Sequence, residues 1–364
     1  MPLSAIQPER YDALLDSKLT EVAPRFAPFF AGKPKVVRSS PSGFRLRAEF
    51  RIWHESDDLN YVMFRRGAPK QPIPIEHFPI ASPKIQQLMP RLLERLRSSG
   101  SLRKKLFQVE FLSTLEGDTA ITLIYHRALD GDWEAAARSL SETLDVSIIG
   151  RSRKQKIVVG RDWVQETLNC NGRQYRYQQP EQAFTQPNAR VNEQMLDWAC
   201  EQAAGIGGDL LELYCGIGNF TLPLATHFDH VIATELSKVA TRAAEQNRQT
   251  NHIDNVEFAR LSAEEMAEAM DGVRPFRRLA NLRQPLTDYA LRSLFVDPPR
   301  AGLDPATLSL AKRFDNVFYI SCNPDTLLEN LATLNSTHEV HALAFFDQFP
   351  YTHHLECGVI LQKR

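Results

Sequence analysis

The sequence predicts an α/β protein in two parts, a doubly wound domain over residues 181–364 and a smaller-element α+β domain over residues 1–180. Three observations carry this. The second half repeats short apolar run, glycine or proline turn, helical stretch, which is the rhythm of a parallel sheet. The first half instead mixes an alternating run, a hairpin and amphipathic helices. Charge divides at the same place: residues 1–180 hold 28 Lys and Arg against 20 Asp and Glu, and residues 181–364 hold 15 against 24, although the 364-residue chain carries only −1 overall. A cationic half points toward a polyanion.

Residues 8–30 set apolar side chains at near-helical spacing and predict one or two helices. Over 44–53, Phe44, Leu46, Ala48, Phe50 and Ile52 fall on one face, with Arg45, Arg47, Glu49, Arg51 and Trp53 on the other. Period two makes this a strand whose solvent face shows three arginines and a tryptophan. Residues 82–99 read as an amphipathic helix stopped at Gly100, its polar side bearing Arg91, Arg95 and Arg97. A hairpin joins 106–115 to 120–126 around Glu116, Gly117 and Asp118, and opens beside Arg103, Lys104, Lys105 and Phe107. A helix over 132–144 and short strands over 146–150, 156–159 and 174–177 complete the module. Cations meet phosphates and flat rings stack on unpaired bases, so this part is expected to bind RNA.

In the second half, 209–215 (DLLELYC) is a strand, followed by the loop Gly216-Ile217-Gly218-Asn219-Phe220 and a helix to about 228. The next strand, 230–235, ends in Glu235, 19 residues after Gly216. A carboxylate there suits an adenosine ribose. A dinucleotide fingerprint would place a third glycine near 221, where Thr221 stands. That favours S-adenosylmethionine (SAM), which has no pyrophosphate to seat on a helix N-terminus, over NAD. Helices over 238–251 and 263–270 and strands over 256–261, 293–296 and 316–321 continue a Rossmann-like pattern, whose ligands lie outside the carboxyl ends of the strands. Two turns fall at such ends: Asp297-Pro298-Pro299-Arg300-Ala301-Gly302 and Ser321-Cys322-Asn323-Pro324. The prolines hold Asp297 in place, and Cys322 sits on a fixed turn beside it.

The five cysteines are odd in number, irregularly spaced and without C-x-x-C. Structural disulfides, zinc and an iron–sulfur cluster are therefore not expected. Glu356 follows His353 and His354, but no third ligand stands at useful spacing, so no metal is expected. No run of 18 uncharged apolar residues occurs, and Glu9 and Arg10 interrupt the place of a signal peptide's apolar run. A cytoplasmic protein without a membrane partner is the expectation.

One thiol, one carboxylate and SAM suit one chemistry well. C5 of uracil is too electron-poor to attack a sulfonium methyl; a thiolate adding at C6 makes it nucleophilic. A base must then remove the C5 proton so that the thiol can leave. At an ordinary pKa near 8.5 only about 3% of a thiol is ionised at pH 7. The site is thus expected to lower the Cys322 value, with Arg300 the candidate cation, or to couple ionisation to base binding.

The stretches Phe184-Thr185-Gln186-Pro187-Asn188, 211–220, Asp297-Pro298-Pro299-Arg300, 320–324 and 346–358 resemble the SAM-dependent uracil-C5 RNA methyltransferase family. The longer runs 347–356 and 47–54 (RAEFRIWH) resemble its bacterial branch acting on transfer RNA. The resemblance implies Cys322 as the nucleophile at C6, Glu356 as the base for the C5 proton, and Gln186, Tyr214, Asn219, Glu235 and Asp297 as SAM contacts. It implies the T-loop uridine of tRNA as substrate, giving 5-methyluridine, with other RNAs bearing a T-arm-like hairpin as further partners. Neither a metal, nor an iron–sulfur cluster, nor an obligatory protein partner follows from it. The target base would leave its stack to reach Cys322, with Phe107 or Trp53 filling its place. With so small a net charge, recognition by loop shape and a modest salt dependence are expected. Three rivals stay open: a uracil-C5 methyltransferase of ribosomal RNA, an NAD-dependent oxidoreductase, and a non-catalytic RNA binder that would not need Cys322.

Overall fold

The computed structural model describes residues 6–55, 58–65 and 68–364. Helix α1 (Tyr11–Val22) turns Tyr11, Leu15 and Val22 inward and leads to a three-residue strand, β1 (Lys35–Val37). There follow β2 (Arg47–Glu55), β3 (Asp58–Arg65), β4 (Ala68–Pro74), α2 (Pro83–Ser98), α3 (Gly100–Arg103), β5 (Leu106–Ser113), β6 (Thr119–Tyr125), α4 (Gly131–Leu144), β7 (Ser147–Ser152) and β8 (Gln155–Val159). Strands β2 to β8 form a seven-stranded sheet in the order β4-β3-β2-β5-β6-β7-β8.

The alternation around β2 has its physical consequence: Phe44, Leu46, Ala48, Phe50 and Ile52 are all buried. Ser82 caps α2 by accepting from the Ile85 N–H, and the helix lays Ile85, Leu88, Met89, Leu92 and Leu96 into the same core. Helix α4 adds Trp133, Ala137, Leu140 and Leu144. Strands β3 and β4 were not expected. Pro72 and Pro74 argue against a strand, and β4 tolerates them because it lies at the sheet edge, where donors are dispensable.

A separate ribbon, β9 (Trp163–Cys170) with β10 (Arg173–Pro180), precedes α5 (Ala189–Ala203), β11 (Asp209–Leu213), α6 (Thr221–Leu224), β12 (His230–Thr234), α7 (Lys238–Thr250), β13 (Val256–Ala259), α8 (Ala263–Met270), β14 (Leu291–Val296), α9 (Pro305–Ala311), β15 (Asn316–Ser321), α10 (Pro324–Leu334), β16 (His338–Phe346) and β17 (Glu356–Lys363). The eight-stranded sheet runs β1-β16-β17-β15-β14-β11-β12-β13. Strands β11 to β15 are mutually parallel, whereas β17 is antiparallel to both β15 and β16.

The sheets do not part at 180/181. Strand β1 pairs in parallel with β16, Lys35 opposite Ala344 and Val37 opposite Phe346, and Val22 and Phe26 enter the core beneath that sheet. Ribbon residues Leu168, Tyr175 and Tyr177 likewise pack with α5 residues Met195 and Leu196. Three residues of strand carry no readable period, so β1 could not be seen from sequence.

A second difference concerns the arginine face. Arg47 does not point to solvent: it donates to the carbonyls of Ala183 at 2.6 Å and Glu181 at 2.7 Å. Arg45 donates from Nε to the Arg47 carbonyl at 2.7 Å. Of the three, only Arg51 is exposed. Period two says which face a residue takes, not what covers that face. Arg47 thus ties the seven-stranded sheet to the segment carrying Gln186. Removing two charge-assisted bonds with Arg47→Ala is expected to lower stability by about 2–3 kcal/mol. A thermal melt unchanged by the substitution would contradict this.

Candidate active site

Five of the chemistry-bearing residues stand at one end of the sheet. Tyr214 follows β11, Glu235 follows β12, Asp297 follows β14 and Cys322 follows β15. Because β17 runs the other way, its first residue, Glu356, reaches the same end, with Cys357 opposite Ser321. The chain makes the sharp exit from β11 with three left-handed residues, Tyr214 (φ 62°), Gly216 (φ 57°) and Gly218 (φ 85°). The glycines adopt this freely; for Tyr214 it is a strained backbone of the kind held at working sites.

The two turns anticipated from sequence are bonded to one another. Asn323 Nδ2 donates to the Arg300 carbonyl at 3.0 Å, and Thr326 Oγ1 donates to the same oxygen at 3.3 Å. Asn323 also caps α10. Asn219 exchanges amide hydrogen bonds with Asn192 at 2.8 and 2.9 Å. Glu235 accepts from the Gly216 N–H at 3.1 Å and the Ser237 N–H at 2.6 Å, which spends only part of its acceptor capacity.

Cys322, Glu356, Gln186, Tyr214, Asn219, Glu235 and Asp297 all line one cavity of about 600 Å³. Of the five cysteines, four are buried and Cys322 alone is partly accessible. The electrostatics depart from expectation. Burial, reinforced by Glu356 and Asp297, pushes the Cys322 thiol up to about 11, and Arg300 only partly opposes them. Glu356 is itself pushed well above the carboxylate range by burial and by Asp297. Burial raises Asp297 to about 7. The resting site therefore holds a thiol rather than a thiolate.

The residues present fit SAM. Gln186 Oε1 and Glu212 Oε2 are buried acceptors without a hydrogen-bond partner among the described residues, and both residues line the cavity. Such orphans suit a ligand that brings hydrogen-bond donors, as the ammonium of SAM does. Glu212, raised to about 8 by burial and Asp297, was not anticipated. Its signal was nonetheless present, a carboxylate in the middle of a fully buried strand. Phe349 and His354 also reach the cavity, from the loop between β16 and β17.

Among the described residues no group of three or more His, Cys, Asp or Glu is arranged to hold a metal, and no helix is long and apolar enough to cross a membrane. The sequence profile described as tRNA (Uracil-5-)-methyltransferase matches residues 10–364. A protein of Cellvibrio japonicus (strain Ueda107) named tRNA/tmRNA (uracil-C(5))-methyltransferase is 56% identical over 97% of this chain and 96% of its own. Its namesake from Dechloromonas aromatica is 53% identical over the full length of both. Among solved structures, the Pyrococcus abyssi tRNA (uracil-54, C5)-methyltransferase in complex with S-adenosyl-L-homocysteine shares the fold, with a TM-score of 0.72 at 20% identity over 96% of this chain and 83% of that one.

Proposed function

Because the chain belongs to the tRNA (uracil-5-)-methyltransferase family, we propose that this SAM-dependent methyltransferase acts on C5 of the T-loop uridine of tRNA, through a covalent Cys322–C6 adduct that Glu356 resolves. The observation that carries the mechanism is the common cavity, where the one accessible cysteine meets a buried carboxylate and the orphaned acceptors. SAM, when bound, supplies an electrophilic methyl group.

The residues divide the remaining work. Gln186, Tyr214, Asn219, Glu235 and Asp297 would hold the donor, Glu235 through the ribose. Cys322 gives up its proton and adds at C6, so that C5 becomes nucleophilic. Glu356, once its own proton has passed to solvent, takes the C5 proton, the C5=C6 bond re-forms and the sulfur leaves.

RNA would approach across the seven-stranded sheet. Arg51 lies 3.8 Å over the Phe107 ring, and that ring stacks on His126 at 4.1 Å between centroids. The half-buried Phe107 ring thus backs exposed Arg51 and His126, on whose outer faces an unpaired base can stack. Trp53, 39% exposed, leans edge-on against Phe64 nearby in the sheet. Phe107→Ala is expected to weaken T-arm hairpin affinity by about 1–3 kcal/mol, more than Trp53→Ala does, as fluorescence anisotropy would read. The basic helix residues are partly committed elsewhere: Arg91 donates to the Thr143 carbonyl and Arg97 to that of Leu59. That relatives act on both tRNA and tmRNA supports recognition of a local T-arm-like element.

The test is methyl transfer from labelled SAM to a tRNA transcript, to its isolated T-arm hairpin and to ribosomal RNA fragments. Label in the first two, recovered as 5-methyluridine at the T-loop position, is the expected result. Label confined to ribosomal fragments would move the substrate to the ribosome.

A further inference from the structure

The cavity that holds Cys322 and Glu356 abuts a second, polar cavity of about 540 Å³ walled by α1. Three residues line both: Arg300, Cys322 and His354. A base attacked by the Cys322 sulfur has to lie at this seam. We propose that His354 is a further catalytic residue, its Nε2–H donating a hydrogen bond to O4 of the target uracil, the oxygen on which charge collects when Cys322 adds to C6. The inference rests on the uracil reading above and assigns a role that reading leaves empty.

The tautomer is set by the neighbour. His354 Nδ1 lies 3.3 Å from an Arg300 guanidinium nitrogen. A guanidinium only donates, so Nδ1 carries the lone pair and the ring proton sits on Nε2. Among the described residues Nε2 has no hydrogen-bond partner, so this donor is free for a ligand. The ring is neutral as well: burial, with His353, Arg300 and Lys18 adding to it, pushes its pKa down to about 4. A cation held behind a neutral imidazole polarises the far N–H and makes it a better donor without making it an acid.

The backbone beneath the ring is fixed from α1. Lys18 Nζ donates to Asp347 Oδ1 at 2.7 Å, to the His354 carbonyl at 2.9 Å and to the Phe349 carbonyl at 3.3 Å. All three ammonium protons are thereby used. The His354 N–H donates to Thr352 Oγ1 at 3.2 Å. Lys18 and Arg300 are positioning residues for the ring, in line with the rule that oxyanion donors work when held before charge develops.

The electron bookkeeping shows why a donor is needed here. As the S–C6 bond forms, the thiol proton passes to solvent and the C5=C6 pair moves through C4 onto O4. That pair returns through C5 when C5 takes the methyl group. When Glu356 removes the C5 proton, charge visits O4 again before the C6–S bond breaks. Wherever Asp297 or Glu356 is ionised it repels such charge, whereas the neutral His354 favours it twice.

The experiment compares His354→Ala and His354→Gln with the wild-type enzyme on T-arm hairpins carrying uridine or 4-thiouridine at the target. His354→Ala is expected to lower kcat on uridine by about 10²–10³-fold, with KM for RNA and SAM affinity little changed. Glutamine, which keeps an N–H, recovers part of the loss. Sulfur at position 4 accepts hydrogen bonds poorly, so the alanine variant should lose much less on 4-thiouridine than on uridine. Equal losses on both hairpins, equal losses for alanine and glutamine, or a change confined to KM would overturn the assignment. A wild-type enzyme unable to methylate the uridine hairpin would instead overturn the uracil reading itself.

Discussion

Replacing Cys322 by alanine is expected to abolish methyl transfer, by at least about 10⁴-fold, the scale on which enzymes lose a covalent nucleophile. SAM affinity should survive, because none of the residues proposed to hold SAM lies on the Cys322 turn. A T-arm hairpin with 5-fluorouridine at the target gives the sharpest reading. Fluorine cannot depart as a proton does, so the wild-type adduct stalls and migrates as a shifted band on a denaturing gel, and the alanine variant gives none. A second consequence concerns pH. With the thiol raised to about 11 by burial, Glu356 and Asp297, the thiolate fraction grows about tenfold per pH unit below that value. Adduct formation should therefore climb from pH 7 to pH 9 without a plateau. A plateau near neutrality would mean that RNA binding itself lowers the thiol.

Glu356→Gln is expected to fail at the opposite end of the reaction. Glutamine cannot take the C5 proton, so turnover should drop by about 10²–10⁴-fold, while attack by Cys322 proceeds. The methylated adduct should then accumulate on ordinary uridine, with protein, RNA and the methyl label in one band. Wild type shows no such accumulation, and Cys322→Ala cannot form it. Glutamine also removes one of the two carboxylates that raise Cys322, so the first step should become faster at neutral pH. If no adduct builds up, another group takes the proton.

The catalytic half was legible because its strands are apolar runs that each end in a chemically distinctive turn. Asp209–Leu213, His230–Thr234 and Asn316–Ser321 lie within the stretches expected for them. What escaped depended on partners far away in the chain. β1 is recognisable only through β16, and α5 buries even Asn192 and Glu193, which blurs its apolar stripe. Arg47 looked like a solvent-facing cation until the segment 181–183 covered it. The Cys322 environment was inverted for a related reason: Arg300 shares its turn with Asp297, and burial in the packed sheet together with Glu356 arriving on β17 outweighs the guanidinium. Glu212, by contrast, was there to be noticed.

Strand β17 has a consequence for biosynthesis. It is made after every other strand of its sheet, yet it stands between β15 and β16 inside it. The seven-stranded sheet uses consecutive strands from a single stretch of chain, so it can form while translation continues. The eight-stranded sheet joins the first strand made to the last two and closes late, as long-range pairings do. A nascent chain halted before residue 356 would carry Cys322 without Glu356 and without the strand that packs behind it. Ribosome stalling before β17 would thus yield a folded seven-stranded sheet attached to an unfinished eight-stranded one, and competence would arrive all at once with that strand.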